Sequence, residues 1–209
     1  MSEPDSIAVR RPTWVWIGLG SALLLLPALH LAAVDLESKQ PAEFVASASG
    51  RHLSITLAGS LGMLVTVGVL AAIFGIRTLA PVRRQYLADV LTAIGYLGIV
   101  GLFLSFLGSI LAAEAAKQEY PYEVIRSFGM IADGAGPVMW ATFAGPAVLV
   151  AVLGIADRVL SRSLGWISVF FAVVMAGLGL VAPGSAALPT LVWYVTCMVF
   201  LAIRGVRSA

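Results

Sequence analysis

The side chains able to do chemistry are few and sit at one depth. His30 and His52 are the only histidines; one lies about a turn inside the end of a first apolar stretch, the other opens a second at the same side. Glu114 closes a third stretch, and Asp133 falls about one turn into a fourth. Imidazole and carboxylate both suit divalent metals, so His30, His52 and Asp133 form the candidate metal set. Two histidines on neighbouring helices could ligate a haem, which makes His30 and His52 the candidate cofactor ligands. Imidazole titrates near neutral pH and could also relay protons. The plainer alternative is interfacial: His52 beside Arg51 faces water and headgroups, and Glu114 and Asp133 reach solvent. Asp89 lies near the opposite end of the third stretch, within reach of Arg83 or Arg84, and reads as half of an ion pair at the membrane edge. No zincin, Walker, nucleophile-elbow or CxxC pattern occurs, and no catalytic residue is nominated.

The elements that must position these groups are apolar. Of 209 residues, 60% are hydrophobic and only 11% charged, against about a quarter charged in soluble domains. The mean hydropathy is +0.97. A water-soluble fold could not hide that much apolar surface. The net charge of +2 and pI near 8.9 reflect eleven arginines against two lysines. No basic cluster exceeds three residues, which argues against nucleic-acid binding. Cys197, alone in an apolar run, can form no intrachain disulfide and reads as a packing residue. The many Ala, Gly, Val and Arg residues suit a GC-rich bacterial genome.

A span needs about 20 apolar residues to cross a hydrocarbon core of about 30 Å. Six stretches are candidates, the last two of them short: Trp14–Val34, Leu53–Ile76, Leu87–Ala113, Pro137–Ala156, Gly165–Val181 and Leu188–Ile203. The expected fold is an all-α, six-span transmembrane bundle forming a single domain, residues 1–209. The first stretch follows Arg10 and Arg11 and exceeds a signal-peptide core of roughly 7–15 residues, so it is expected to be retained. The last two, separated by a Pro-Gly turn, read as a helical hairpin, with a re-entrant pair as the alternative.

Charge sets the orientation. Arg10, Arg11, Arg77, Arg83, Arg84, Arg158, Arg162, Arg204 and Arg207 fall before the first stretch, in the second and fourth gaps, and after the sixth. The first and third gaps hold Lys39, Arg51, Lys117 and Arg126, offset by seven acidic residues. The positive-inside rule then places both ends in the cytoplasm of a bacterial inner membrane. Trp14, Trp16 and Trp166 would anchor that interface. In the first external gap, Pro41 and Glu43 mark a helix start, with Gly50 as a weak point before the second stretch. The third gap, 117–136, is expected to lie on the membrane surface, with Asp133-Gly134-Ala135-Gly136-Pro137 a loop or a kinked first turn.

Helices in lipid associate through close packing of small residues. The third stretch carries Gly95, Gly98, Gly101, Ser105 and Ser109 at three- and four-residue spacing, and the second carries Gly62 and Gly68, which nominates these two as the bundle centre. Pro27 and Pro146 would each break and kink their helix.

In layout the chain resembles the six-span bacterial membrane proteins grouped as the domain of unknown function numbered 4386, in its actinobacterial form. The resemblance rests on Pro41-Ala42-Glu43, on Gly50-Arg51-His52, on the basic turn before Leu164-Gly165-Trp166-Ile167, and on the short arginine tail. It implies six helices and no established activity. The expected role is a non-catalytic subunit or scaffold, in contact with the lipid bilayer and with a protein partner or a second copy through its small-residue faces. A small transporter or channel, and a metal- or haem-binding membrane protein, are the alternatives.

Overall fold

The computed structural model describes residues 9–10, 12–32 and 41–207. Val34, where the first stretch was expected to end, and the charges Asp35, Glu37 and Lys39 lie outside the described residues. The described residues form eight α-helices: α1 (Thr13–Ala32), α2 (Pro41–Gly50), α3 (His52–Thr78), α4 (Gln85–Lys117), α5 (Tyr122–Thr142), α6 (Ala144–Ile155), α7 (Arg162–Val181) and α8 (Ala187–Arg204). Among the described residues, α1, α3, α4, α7 and α8 are each long and apolar enough to cross a membrane. The one extended pairing described joins the two ends of the chain. In it β1 (Val9–Arg10) runs antiparallel to β2 (Val206–Arg207).

Local signals explain most boundaries. Pro41 starts α2 with Glu43 in its first turn, and Gly50 ends it. Arg51 interrupts the two helices, yet its N–H reaches Ser47 O and its carbonyl accepts from Ile55 N, so α2 and α3 meet at a bend rather than a loop. Past α6, Arg158 adopts a left-handed backbone with φ of 54°. Leu160 N then turns back to Leu153 O, and Ser161 Oγ caps α7 by accepting from Leu164 N at 3.2 Å.

One expectation is corrected. The third gap is not a short segment apart from the fourth stretch: α5 begins at Tyr122 and runs without interruption through Gly134 and Pro137 to Thr142. Packing overrides local composition here. Ser105 Oγ donates to Ala132 O at 2.7 Å, and a Cβ on Gly108 would lie 2.7 Å from Ala132 N, so α5 lies backbone to backbone along α4. Pro27 lies inside α1, which continues as helix to Ala32 on its far side. Pro146 does mark a break, at Phe143 between α5 and α6, three residues before the missing N–H.

The helices pack as a ring: α1 against α3, α3 against α4, α4 against α5 and α6, α6 against α7, α7 against α8, and α8 back against α1. Small residues set the closest approaches. A Cβ on Gly62 would strike the Phe106 ring, one on Gly98 would lie 2.5 Å from Thr142 Oγ1, and one on Gly154 would lie 2.8 Å from Gly165 Cα. Gly95 meets Pro146 in the same way, while Gly101 is half-buried. Ser109 Oγ bonds its own helix at Ser105 O. The interior is filled by bulky groups. Trp193, Tyr194, Cys197 and Met198 of α8 are buried; Tyr194 donates to Gly18 O at 3.2 Å and Trp193 Nε1 donates to Ser168 Oγ at 3.0 Å. So α8 shares the centre that the glycine rows assigned to α3 and α4 alone. Outward faces carry Leu57, Leu64, Val100, Phe170 and Val173, all exposed, as lipid contact requires.

Candidate functional site

A second, smaller core lies at the His52 end. Phe44 and Ala48 of α2 pack on Ala112, Ala115 and Ala116 of α4 and Ile125 of α5, and Phe44 meets the Tyr122 ring edge-on at 6.0 Å. Because α2 stops at Gly50, His52 opens α3 beneath this cap, facing the last turn of α4. There His52 Nε2 lies 2.6 Å from Glu114 Oε2. Gln118 Nε2, one turn on, donates to Glu114 Oε1 at 2.7 Å. The hydrogen bond from His52, and then that from Gln118, hold the Glu114 carboxyl below its ordinary range. The side chains are 18% and 43% exposed, so water reaches the pair. Arg51 Nη2 donates to Leu31 O at 3.1 Å and ties α1 to the same corner.

Beside the pair, the α4–α5 hairpin leaves a cavity of about 230 Å³, lined by Leu111, Glu114, Ala115 and Gln118 from α4 and by Tyr120, Val124 and Phe128. The turn between the helices makes it. Glu119 takes a left-handed backbone with φ of 58°, and Tyr120 N bonds back to Ala115 O at 3.0 Å, which brings the Tyr120 ring to the rim.

The metal set is not assembled. His30 is exposed in the last turn of α1, and Asp133 is exposed on α5. Because α5 is a full helix along α4, Asp133 lies at the level of Ser105, nine residues before Glu114 and therefore about 13 Å further down the bundle. His52 meets Glu114 instead of His30 or Asp133. Among the described residues, no group of three or more His, Cys, Asp or Glu side chains is placed to hold a metal ion.

At the opposite end Asp89 pairs with Arg77, at 2.5 Å, and not with Arg83 or Arg84. The end of α3 runs beside the first turn of α4, while the intervening 3-10 turn, Val82–Arg84, aims its arginines at the end of α6. There Arg83 Nη2 lies 2.8 Å and Arg84 Nε 3.8 Å from Asp157, whose side chain is 2% exposed. Asp157 carries no signal in the sequence beyond being the one acid in an arginine-rich gap. Trp16 and Trp166 are exposed as interfacial anchors should be, but Trp14 is half-buried, its indole where a Cβ on Gly75 would be.

No protein-family model matches the chain, and neither does any curated protein or solved structure. By the length and composition of its helices the chain is a polytopic membrane protein.

Proposed function

We propose that the chain crosses a bacterial inner membrane six times with both ends in the cytoplasm, and that it serves as a non-catalytic subunit packing against a larger membrane complex. The β1–β2 ladder supports the span count. Paired strands must lie on one side of the bilayer, so the chain between them crosses an even number of times. Five long helices make an odd number, and α5 with α6, together 33 helical residues, supply the sixth. Contacts also gather the arginines at that end: Trp14 meets Gly75, Arg77 meets Asp89, and Arg83 meets Asp157. We also propose membership of the six-span family numbered 4386, which the order of apolar stretches resembles.

The subunit reading is carried by Asp133. It is exposed on α5 at the level of Ser105, below the headgroup depth of His52 and Glu114. A carboxylate facing lipid is expensive, and a cationic or hydrogen-bonding partner helix would remove that cost. Purification in mild detergent followed by mass spectrometry tests this. A partner at fixed stoichiometry, lost on Asp133→Asn, is the expected result. A lone monomer that moves a solute across liposomes would replace this reading with the transporter one.

A further inference from the structure

The cavity between α4 and α5 combines three features that the subunit role does not use. Leu111, Val124 and Phe128 give it apolar walls. The Tyr120 ring stands half-exposed at its rim. Its one formally charged lining group is the Glu114 carboxylate, each oxygen already steadied by one neighbour, His52 or Gln118. A carboxylate has about four lone-pair sites, so capacity for a further donor or cation remains. Its lowered pKa keeps it ionised at neutral pH. The same hairpin end adds Glu119 and Glu123 against Lys117 and Arg126, and the Arg126 guanidinium is engaged over the Tyr122 ring.

We propose that this cavity binds a small organic ammonium ion, its positive charge against Glu114 and its carbon body against Tyr120 and Phe128. Aromatic faces beside a fixed anion attract alkylammonium groups through the ring quadrupole and direct charge. An anion is repelled by Glu114. A hard metal ion wants six or more oxygen ligands, and the cavity offers one carboxylate and one amide. The volume is below the roughly 300–1,000 Å³ of pockets for drug-sized ligands, so the guest is small. The six-span topology proposed above puts the cavity at headgroup depth, and the ammonium comes either from a free amine or from the ethanolamine head of a lipid.

Choline and its uncharged carbon counterpart, 3,3-dimethylbutan-1-ol, test the proposal on the full chain in phosphatidylglycerol nanodiscs. Saturable choline binding is expected, at least about tenfold tighter than the alcohol. Glu114→Gln should abolish that preference, and Phe128→Leu, which keeps apolar volume but removes the ring, should weaken choline several-fold. His30→Ala should bind as the unaltered chain does. Loss of choline binding when phosphatidylethanolamine is added assigns the site to the lipid head; unchanged binding assigns it to a free amine. Equal binding of choline and the alcohol, or undiminished choline binding by Glu114→Gln, overturns the proposal. Should Glu114→Gln fail to fold, the comparison of the two probes on the unaltered chain still decides it.

Discussion

Asp157 accepts a hydrogen bond from Arg83 at 2.8 Å across 74 residues of chain, its own side chain buried while the arginine's is 72% exposed. The bond joins the turn before α4 to the end of α6, two segments that the apolar pattern alone leaves unconnected. Asp157→Ala should destabilise the bundle by about 1–2 kcal/mol, at the low side of the roughly 1.5–3 kcal/mol of a hydrogen bond to a charged group because Arg83 remains hydrated when released. Thermal unfolding in detergent measures this; an unchanged midpoint would show the pair to be ornamental.

Glycines with and without neighbours should separate cleanly. Gly154→Ala places a Cβ 2.8 Å from the Gly165 backbone, which no side-chain rotation relieves, and should cost about 1–3 kcal/mol. Gly20→Ala and Gly177→Ala meet nothing within 4 Å and should be neutral or stabilising by about 0.5–1 kcal/mol. Unfolding midpoints of the three variants give the comparison, and equal losses in all three would sink the close-packing account.

The His52–Glu114 link carries a pH signature. The Glu114 pKa is lowered from its ordinary value of 4.5, so its contribution is fully present above that value and is lost as pH falls through the lowered one. Hydrogen exchange in the last turn of α4 and the first of α3 should therefore accelerate below about pH 4.5. Glu114→Gln should abolish that acceleration; a variant that still accelerates in the same window would assign the effect elsewhere.

Cys197 is the only cysteine and is buried, so the unaltered chain should resist a membrane-impermeant maleimide. Single cysteines introduced at Arg84 and at Gly205 should react from one side of the membrane, and one at Gln118 from the other. Labelling of Arg84→Cys and Gln118→Cys from the same side would refute six crossings.

How much of this was legible in the sequence varies by physical cause. Apolar length marks helices whatever their neighbours, so the five long helices could be read directly, as could the weak point at Gly50, next to the bend at Arg51. Depth could be read for His52 and Glu114, which lie at one level, but not for Asp133, because its helix starts earlier than its composition signals. Azimuth could not: whether His52 meets Glu114 or His30 depends on how α3 and α4 are rotated about their axes, and that is decided by Gly59, Gly62 and Phe106 where they interlock. The continuity of α5 could not be read, because Asp133-Gly134-Ala135-Gly136-Pro137 has a loop-forming composition, while the packing that holds the helix just before it, Phe128 and Ala132 on Ser105 and Gly108, is tertiary. Asp157 was invisible because nothing local distinguishes a buried acid from an exposed one.

The bond from Tyr194 to Gly18 has a bearing on biogenesis. Its partners belong to the first and last long helices, and the strands of the β1–β2 ladder flank those same two helices, so neither can form until the C-terminal helix has been synthesised and inserted. Until then the ring lacks its final stave, and the Ser168 hydroxyl and the Gly18 carbonyl face lipid or an insertion chaperone. A chain arrested before Ala187 should therefore persist as an open-sided intermediate, protease-sensitive and retained by the insertion machinery, and arrival of α8 is the step that shuts it.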